Sequence, residues 1–147
     1  MKQYIGTKII NALPMTRLAY NELRGWELPQ DENGEDEGFL VEYLDGGQAN
    51  HPDYAGYISW SPKDVFEKAY VEIGEADDSP DHIIRVKAER AQLHDRLKKL
   101  QAFFDTDRFR SLDAAENSRM QRQAMYMIDY LDVLDSRLKA HEANQPA

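Results

Sequence analysis

The stretch IIRVKAERAQLHDRLKKLQAFF, residues 83–104, decides the fold of the second half of this chain. In steps of three and four residues it carries an apolar seam, at Ile83, Val86, Leu93, Leu97, Leu100 and Phe104. This spacing predicts one face of an α-helix. A helix of about 22 residues would extend roughly 33 Å. One polar residue, Arg90, interrupts the seam.

A second stretch repeats the pattern after a short connection. Its seam is formed by Met120, Ala124, Met127, Leu131, Leu134 and Leu138. Residues 105–111 separate the two stretches, and Ser111 is a candidate N-cap for the second helix. Because such a short connection forces neighbouring helices to run antiparallel, we predict a two-helix hairpin over 82–142. Residues 143–147 are predicted to form a disordered tail.

Several large apolar side chains lie off both seams: Ile84, Phe103, Phe109, Leu112, Tyr126, Ile128, Tyr130 and Val133. Burying one such side chain is worth about 1.5–3 kcal/mol, so leaving all of them exposed is costly. The hairpin therefore needs a further packing partner, either the first half of the chain or copies of itself. We favour self-association, because a linker separates the halves.

The first half, residues 1–74, predicts a small α+β module, which makes the fold class of the chain α+β. Its expected elements are strands at 4–12, 39–43 and 57–60, an edge strand at 70–73, and two short helices. Thr16 is expected to cap the first helix, which ends at Gly25, and Ser61 the second. Residues 75–81 are predicted to be a linker, in which Ser79 caps the long helix and Pro80 takes its first position.

Charge is distributed unevenly along the 147 residues. The chain carries 18 basic and 27 acidic side chains, a formal net charge of -9. This acidity excludes long nucleic acid as a partner, because binding many phosphates requires a basic surface. Residues 1–75 hold 6 basic and 14 acidic groups, whereas residues 85–122 hold 10 and 6, a local charge of +4. A small anion therefore remains a candidate ligand of the hairpin.

No residue pattern predicts catalysis, a cofactor or a metal. The chain lacks cysteine, which excludes disulfides and thiolate chemistry. Its four histidines have no metal-ligand spacing, and no phosphate loop or nucleophile elbow is present. Asp129, Asp132 and Asp135 lack the Glu-x-x-His partners of a carboxylate-bridged metal site, so we interpret them as a solvated face. We therefore expect a protein that is not an enzyme.

Apolar runs in the sequence are short. None approaches the roughly 18 residues of a membrane span, and the first residues do not resemble a signal peptide. We expect a cytoplasmic protein with no membrane partner.

Two groups of residues are candidates for ligand binding. The first is the basic part of the hairpin, where arginine side chains suit phosphate and tyrosine rings suit base stacking. Its candidates are Arg96, Lys99, Arg122, Tyr126 and Tyr130. The alternative is a solvated helix surface that neighbouring acids partly neutralise.

The second group is aromatic. The residues Trp26, Tyr43, Tyr57 and Trp60 crowd the first module and suit stacking on a nucleobase. The alternative is that a small domain uses large rings to fill its core.

Two resemblances to phage families bear on function. The segments Arg24-Gly-Trp26 and Gly56-Tyr-Ile-Ser-Trp-Ser-Pro-Lys-Asp-Val-Phe66 resemble a module of tailed phages and prophages. That module often occurs beside Thoeris anti-defence sponge domains and is loosely similar to them. The pattern Glu89-x3-Leu93-x3-Leu97-x-Lys99-Leu100-x2-Phe103, together with Tyr130-x3-Leu134-x2-Arg137, resembles the helical-hairpin family that includes the anti-CBASS cyclic-dinucleotide sponge.

These resemblances imply a phage-encoded anti-defence sponge in the cytoplasm of an infected bacterial host. Such a protein binds nucleotide second messengers of the cyclic dinucleotide type, does not cleave them, and acts as a homo-oligomer. An alternative from another class is an acidic protein-interaction adaptor, or a nucleic-acid mimic, that docks on a host or phage protein.

Overall fold

The computed structural model describes residues 1–146 and divides into two compact units. Unit 1 spans Met1–Tyr70, and unit 2 begins at Val71. Unit 1 contains a three-stranded sheet with two helices, and unit 2 is helical, which confirms the predicted α+β class. No helix within residues 1–146 combines the length and apolar character needed to cross a membrane.

Unit 1 is built on an antiparallel sheet in the order β1-β2-β3. The strands are β1 (Ile10–Pro14), β2 (Gly38–Tyr43) and β3 (Tyr57–Pro62), and the helices are α1 (Arg17–Arg24) and α2 (Lys63–Ala69).

Side chains alternate across the sheet and create two packed faces. On one face Leu40 and Ile58 form a core with Tyr20 of α1. On the other face Phe39 stacks on Phe66 of α2, with ring centroids 4.0 Å apart. Each face of the small sheet is thus covered by one helix.

The ends of α1 follow the sequence prediction. The Thr16 hydroxyl accepts a hydrogen bond from the backbone N–H of Ala19 at 3.2 Å. Gly25 ends the helix with φ 70°, a left-handed conformation that glycine adopts without a steric penalty.

Three predicted features of the first half of the chain are wrong. The first strand starts at Ile10 rather than at residue 4, because β2 ends at Tyr43, opposite Ile10, and offers earlier residues no partner. Ser61 does not cap α2; it lies in β3, and Pro62 takes the N-cap position without a side-chain bond. Residues 70–73 form no strand, since the Tyr70 N–H closes the last turn of α2 by bonding to Phe66.

Unit 2 contains the two predicted long helices. They are α3 (Asp81–Phe104) and α5 (Ala114–Ala143), separated by the single-turn helix α4 (Asp107–Arg110). The seams meet as expected, with Val86 and Leu93 of α3 buried against Leu134 of α5. The helix α5 extends one residue into the predicted tail, residues 144–146 do not continue it, and residue 147 lies outside the described residues.

Arg90, the polar residue of the first seam, has a specific partner. Its Nε donates to the Asp135 carboxylate of α5 at 2.7 Å. Asp135 is therefore not simply part of a solvated acidic face, as its spacing from Asp129 and Asp132 suggested. The pair joins the two helices where the apolar seam is interrupted.

The other two predicted serine caps are wrong. Ser111 cannot be an N-cap because its backbone is helical, and an N-cap requires an extended backbone. Asp113 caps α5 instead, and its carboxylate accepts a hydrogen bond from the Glu116 N–H at 2.8 Å. Ser79 also caps nothing, because α3 starts at Asp81 with Pro80 in the N-cap position. The Ser79 hydroxyl accepts a hydrogen bond from Lys87 Nζ at 3.1 Å.

Lys87 also binds Asp77, which ties the segment before α3 to the helix. The Lys87 ammonium, by donating to Asp77, holds the pKa of that carboxyl well below its usual range.

Candidate functional site

A groove of about 540 Å³ lies between α3 and α5 of unit 2. Three of its lining residues come from α3 and six from α5: Glu89, Leu93, Arg96, Arg119, Arg122, Gln123, Tyr126, Met127 and Tyr130. Leu93 is buried and Met127 is half-buried, so these two provide an apolar floor. The arginines and tyrosines, which are more exposed, form the walls.

The groove is basic at one end. Arg96 comes from α3, and Arg119 and Arg122 come from α5. Glu116 binds Arg119 with contacts of 2.6 and 2.9 Å. Within residues 1–146, Arg96 and Arg122 form no ion pair with an acidic side chain. Both guanidinium groups are therefore available to an anion. Each presents several N–H donors in one plane, and this arrangement fits the oxygens of a phosphate or carboxylate.

Two tyrosines of α5 line the same groove. Tyr126 is 68% exposed and Tyr130 is 45% exposed, and neither is packed against another aromatic ring of residues 1–146. The spacing of four residues places them one turn apart on the same side of α5. An exposed ring of this kind offers a surface on which a nucleobase can stack.

The structure brings together four of the five hairpin candidates. Arg96, Arg122, Tyr126 and Tyr130 all line the groove. Lys99 does not; its ammonium binds Asp95, one turn earlier on α3, at 2.8 Å. Lys99 lies six residues beyond Leu93, which turns it about 120° around α3 from the apolar floor of the groove.

Glu89 is a groove residue that the sequence prediction missed. It lines the wall contributed by α3, and its carboxylate accepts a hydrogen bond from the Tyr130 hydroxyl. An acidic side chain is not expected in a site for an anion, so its residue type gave no signal. The pattern Glu89, Leu93, Arg96 was a usable signal, because steps of four and three residues place all three on one helix face.

The four aromatic candidates of unit 1 do not form one site. Tyr43 and Tyr57 are cross-strand partners with ring centroids 6.2 Å apart. Trp60 lies on the opposite face of the sheet and donates from Nε1 to the Met15 carbonyl at 2.8 Å. Trp26 packs edge-on against Tyr20.

Three of these aromatic rings are covered by cations. Guanidinium groups of Arg24 and Arg17 each lie 4.5 Å from the ring centroids of Trp26 and Trp60, respectively. Lys8 lies 4.9 Å from the ring centroid of Tyr43. Each cation occupies one of the two faces of its ring, and a base cannot stack on that face.

A second cavity, of about 550 Å³, lies in unit 1 and is acidic. It is lined by Arg17, Glu35, Asp36, Glu37, Trp60, Pro62, Lys63, Asp64 and Glu67. Both of its cations are engaged, Arg17 with Glu32 and Asp36, and Lys63 with Glu37. The uncompensated carboxylates disfavour a phosphate ligand at this cavity.

Metal binding has no structural support in the described part of the chain. Residues 1–146 contain no group of three or more His, Asp or Glu side chains placed to hold a metal ion. The groove in unit 2 instead combines free guanidinium groups, exposed phenol rings and an apolar floor. These features define a candidate site for a small organic anion that carries an aromatic group.

Residues 80–140 match the model of a protein family described as Sequestin. The match includes every residue of the groove and covers less than half of the chain. It is consistent with a protein that sequesters a molecule. No curated protein and no solved structure matches the chain significantly.

Proposed function

We propose that this chain is a phage-encoded anti-defence sponge, which binds nucleotide second messengers of the cyclic dinucleotide type without cleaving them. The groove between α3 and α5 is the binding site. The observation that carries the proposal is the convergence in one groove of two exposed tyrosines with Arg96 and Arg122, which form no ion pair within residues 1–146.

The phosphates and one base of a cyclic dinucleotide have partners in this groove. Arg96 and Arg122 bind phosphate oxygens, and charge-assisted bonds of this type are about twice as strong as neutral ones. Tyr126 and Tyr130 stack on a base, and Leu93 and Met127 contact its apolar surface. Sequestration requires affinity and no reacting group, so the proposed protein is not an enzyme and uses no cofactor.

Two further observations support this function. The name of the matched family refers to sequestration, and its match lies over the hairpin that carries the groove. The groove lining also contains three arginines and one glutamate, whereas the whole chain has a net charge of -9. A local basic surface in an acidic protein favours a small anion over a long nucleic acid.

The proposed sponge acts as a homo-oligomer in the cytoplasm of the infected bacterium. Met125, Ile128 and Val133 of α5 remain 63%, 48% and 58% exposed. Burying these side chains between copies of the hairpin removes apolar surface from water.

Calorimetry on the purified full chain tests the proposal. A panel of cyclic dinucleotides and cyclic ADP-ribose isomers is titrated into the protein, and bound ligand is recovered after heat denaturation and identified by mass spectrometry. We expect saturable binding of at least one cyclic dinucleotide and its release intact. Absence of binding across the panel, or release of a cleaved product, contradicts the proposal.

The acidic cavity of unit 1 favours a second candidate function, an adaptor that docks on a basic host or phage protein. Five carboxylates line this cavity: Glu35, Asp36, Glu37, Asp64 and Glu67. An acidic surface attracts a basic partner over a distance set by the ionic strength. Under this alternative the chain binds no nucleotide, and charge reversal at Glu35 and Glu67 abolishes recovery of its protein partner.

A further inference from the structure

The strand β1 is one edge of the sheet in unit 1, and its outer side has no partner strand within residues 1–146. The Met15 N–H, directly after β1, bonds to the Gly38 carbonyl of β2 at 2.9 Å. Because alternate residues of an antiparallel strand bond to a given neighbour, the odd-numbered residues of β1 form the ladder with β2. The N–H and C=O groups of Ile10 and Ala12 therefore point outward, along an open edge.

The opposite edge of the sheet, along β3, is closed. The Asn50 side chain occupies it by accepting from the Ile58 N–H at 2.8 Å and donating to the Ile58 carbonyl at 2.9 Å. Farther along the same edge, Pro62 has no N–H to offer. The edge at which this sheet can accept another strand is therefore β1.

Residues 1–9, the N-terminal arm, precede β1 and form no helix or strand. Tyr4 and Ile5 of the arm are 87% and 91% exposed, although burial of such side chains is favourable. The stretch YIGTKII, residues 4–10, is rich in strand-forming residues, which is why the sequence predicts a strand from residue 4. In a single chain β2 ends opposite Ile10, so a partner strand for the arm can come from another chain.

A second copy of this chain satisfies both the open edge and the arm. Each copy carries one of each, so two copies related by a two-fold axis complement each other reciprocally. Charge favours the same partner, because the arm carries two lysines and no acidic side chain, whereas residues 10–70 carry 4 basic and 12 acidic side chains. The basic arm of one copy is thus attracted to the acidic unit of the other.

The register of this pairing follows from hydrogen-bond alternation and side-chain matching. In an arm that continues β1, even-numbered residues point outward, so each pairs with an even-numbered residue of the second copy. Pairing Lys8 with its own copy places like charges opposite each other, which is unfavourable. With Ile9 opposite Ile9 of the second copy, Ile5 covers Leu13, which is 40% exposed in a single chain.

We propose that β1 and the N-terminal arm form an interface at which two copies of this chain pair antiparallel, with Ile9 on the two-fold axis, into one continuous sheet. The inference goes beyond the proposed function and does not rest on it. The interface consists of residues of unit 1, whereas the apolar residues that favour association of the hairpins belong to unit 2.

Because the chain lacks cysteine, single substitutions allow a crosslinking test. Ile9→Cys should give a disulfide-linked dimer under mild oxidation, since residues on the axis face each other with Cβ atoms about 4.5 Å apart. Thr7→Cys is the matched control on the same arm, because in this register its two copies lie about 14 Å apart. Both are made in full chains that also carry Val133→Glu, which weakens association through α5. A dimer yield on nonreducing gels that is no greater for Ile9→Cys than for Thr7→Cys overturns the proposal.

Gly6→Pro tests the backbone pairing without a crosslink. It removes the N–H that donates to the Ala12 carbonyl of the second copy, and a Cβ at Gly6 meets nothing within 4 Å in a single chain. The axis repeats this contact, so two hydrogen bonds are lost, and the dissociation constant of the dimer should rise about tenfold or more.

Gly6→Ala, which keeps the N–H, should leave the dissociation constant unchanged. Sedimentation equilibrium of both variants in the Val133→Glu chain measures it. An equal dissociation constant for Gly6→Pro and Gly6→Ala, or a Val133→Glu chain that is monomeric at all concentrations, overturns the interface and leaves the proposed function standing.

Discussion

Arg96 and Lys99 are three residues apart on α3, yet only Arg96 lines the groove. Lys99 binds Asp95, one helical turn earlier, and this pair was readable from their spacing of four. Composition predicts that residues 85–122 of the hairpin are basic. Whether a cation remains available for a ligand depends on its acidic neighbours. Residue type alone therefore selected Lys99 as a ligand-binding residue although Asp95 binds it.

The aromatic residues of unit 1 show a second limit at this scale. A count of Trp and Tyr does not say which ring faces are already in use. Strand alternation could have separated Tyr43 and Tyr57 from Trp60, because the register determines which side chains share a face. The cations over Tyr43, Trp26 and Trp60 follow from tertiary structure and have no local sequence signal.

Tyr126 tests base stacking. Since its ring is 68% exposed and its role in the proposal is to offer an aromatic face, Tyr126→Phe should bind a cyclic dinucleotide about as well as the unmodified chain. Tyr126→Ala should bind more weakly by about 1–3 kcal/mol, the usual contribution of one stacked base. Calorimetric titration of both variants measures this difference, and equal loss in both would point instead to the hydroxyl.

At the scale of elements, the long helices were predictable because their seams repeat over many turns. The residues at which α2, α3 and α5 begin could not be predicted from the serines that precede them. Ser61 and Ser79 each precede a proline, and in both cases the proline itself occupies the N-cap position. Ser111 instead follows the intervening helix α4 directly, as its C-cap residue. The cap at Thr16 was predictable because no proline or extra helical turn competes there.

Leu134 tests the packing of α3 on α5. It is 3% exposed and lies in the core with Val86 and Leu93, so Leu134→Ala should lower the free energy of unfolding by about 2–5 kcal/mol. Asp132→Ala, at an exposed position of the same helix, should change it by less than about 0.5 kcal/mol. Denaturant titration followed by circular dichroism checks both, and similar effects of the two substitutions would contradict the described seam.

At the scale of the whole molecule, the chain divides between a mixed sheet-and-helix unit and a helical one. Composition changes after Gly74, the last glycine, whereas the two compact units meet between Tyr70 and Val71. The net charge of the whole chain did not indicate which part of the molecule could bind an anion. Most of the acidity lies in the first half, and the groove that carries the proposed site is basic.

Self-association is the prediction that belongs to this scale. Light scattering should give a mass that is a multiple of the 17.0 kDa chain, because the apolar residues exposed on α5 favour burial against another copy. Val133→Glu, which places a charge among them, should shift the mass toward the monomer, whereas Asn144→Glu beyond the helix end should not. A monomeric mass for the unmodified chain at all concentrations would contradict self-association.

The most direct test of the central claim is a titration of the full chain and its double variant Arg96→Gln/Arg122→Gln with the cyclic dinucleotide that binds best. Each arginine contributes a charge-assisted contact, so the double variant should bind at least about a hundredfold more weakly. Lys99→Gln, a cation of α3 outside the groove, should retain the affinity of the unmodified chain. Undiminished binding by the double variant, or no binding by the unmodified chain, would contradict the account.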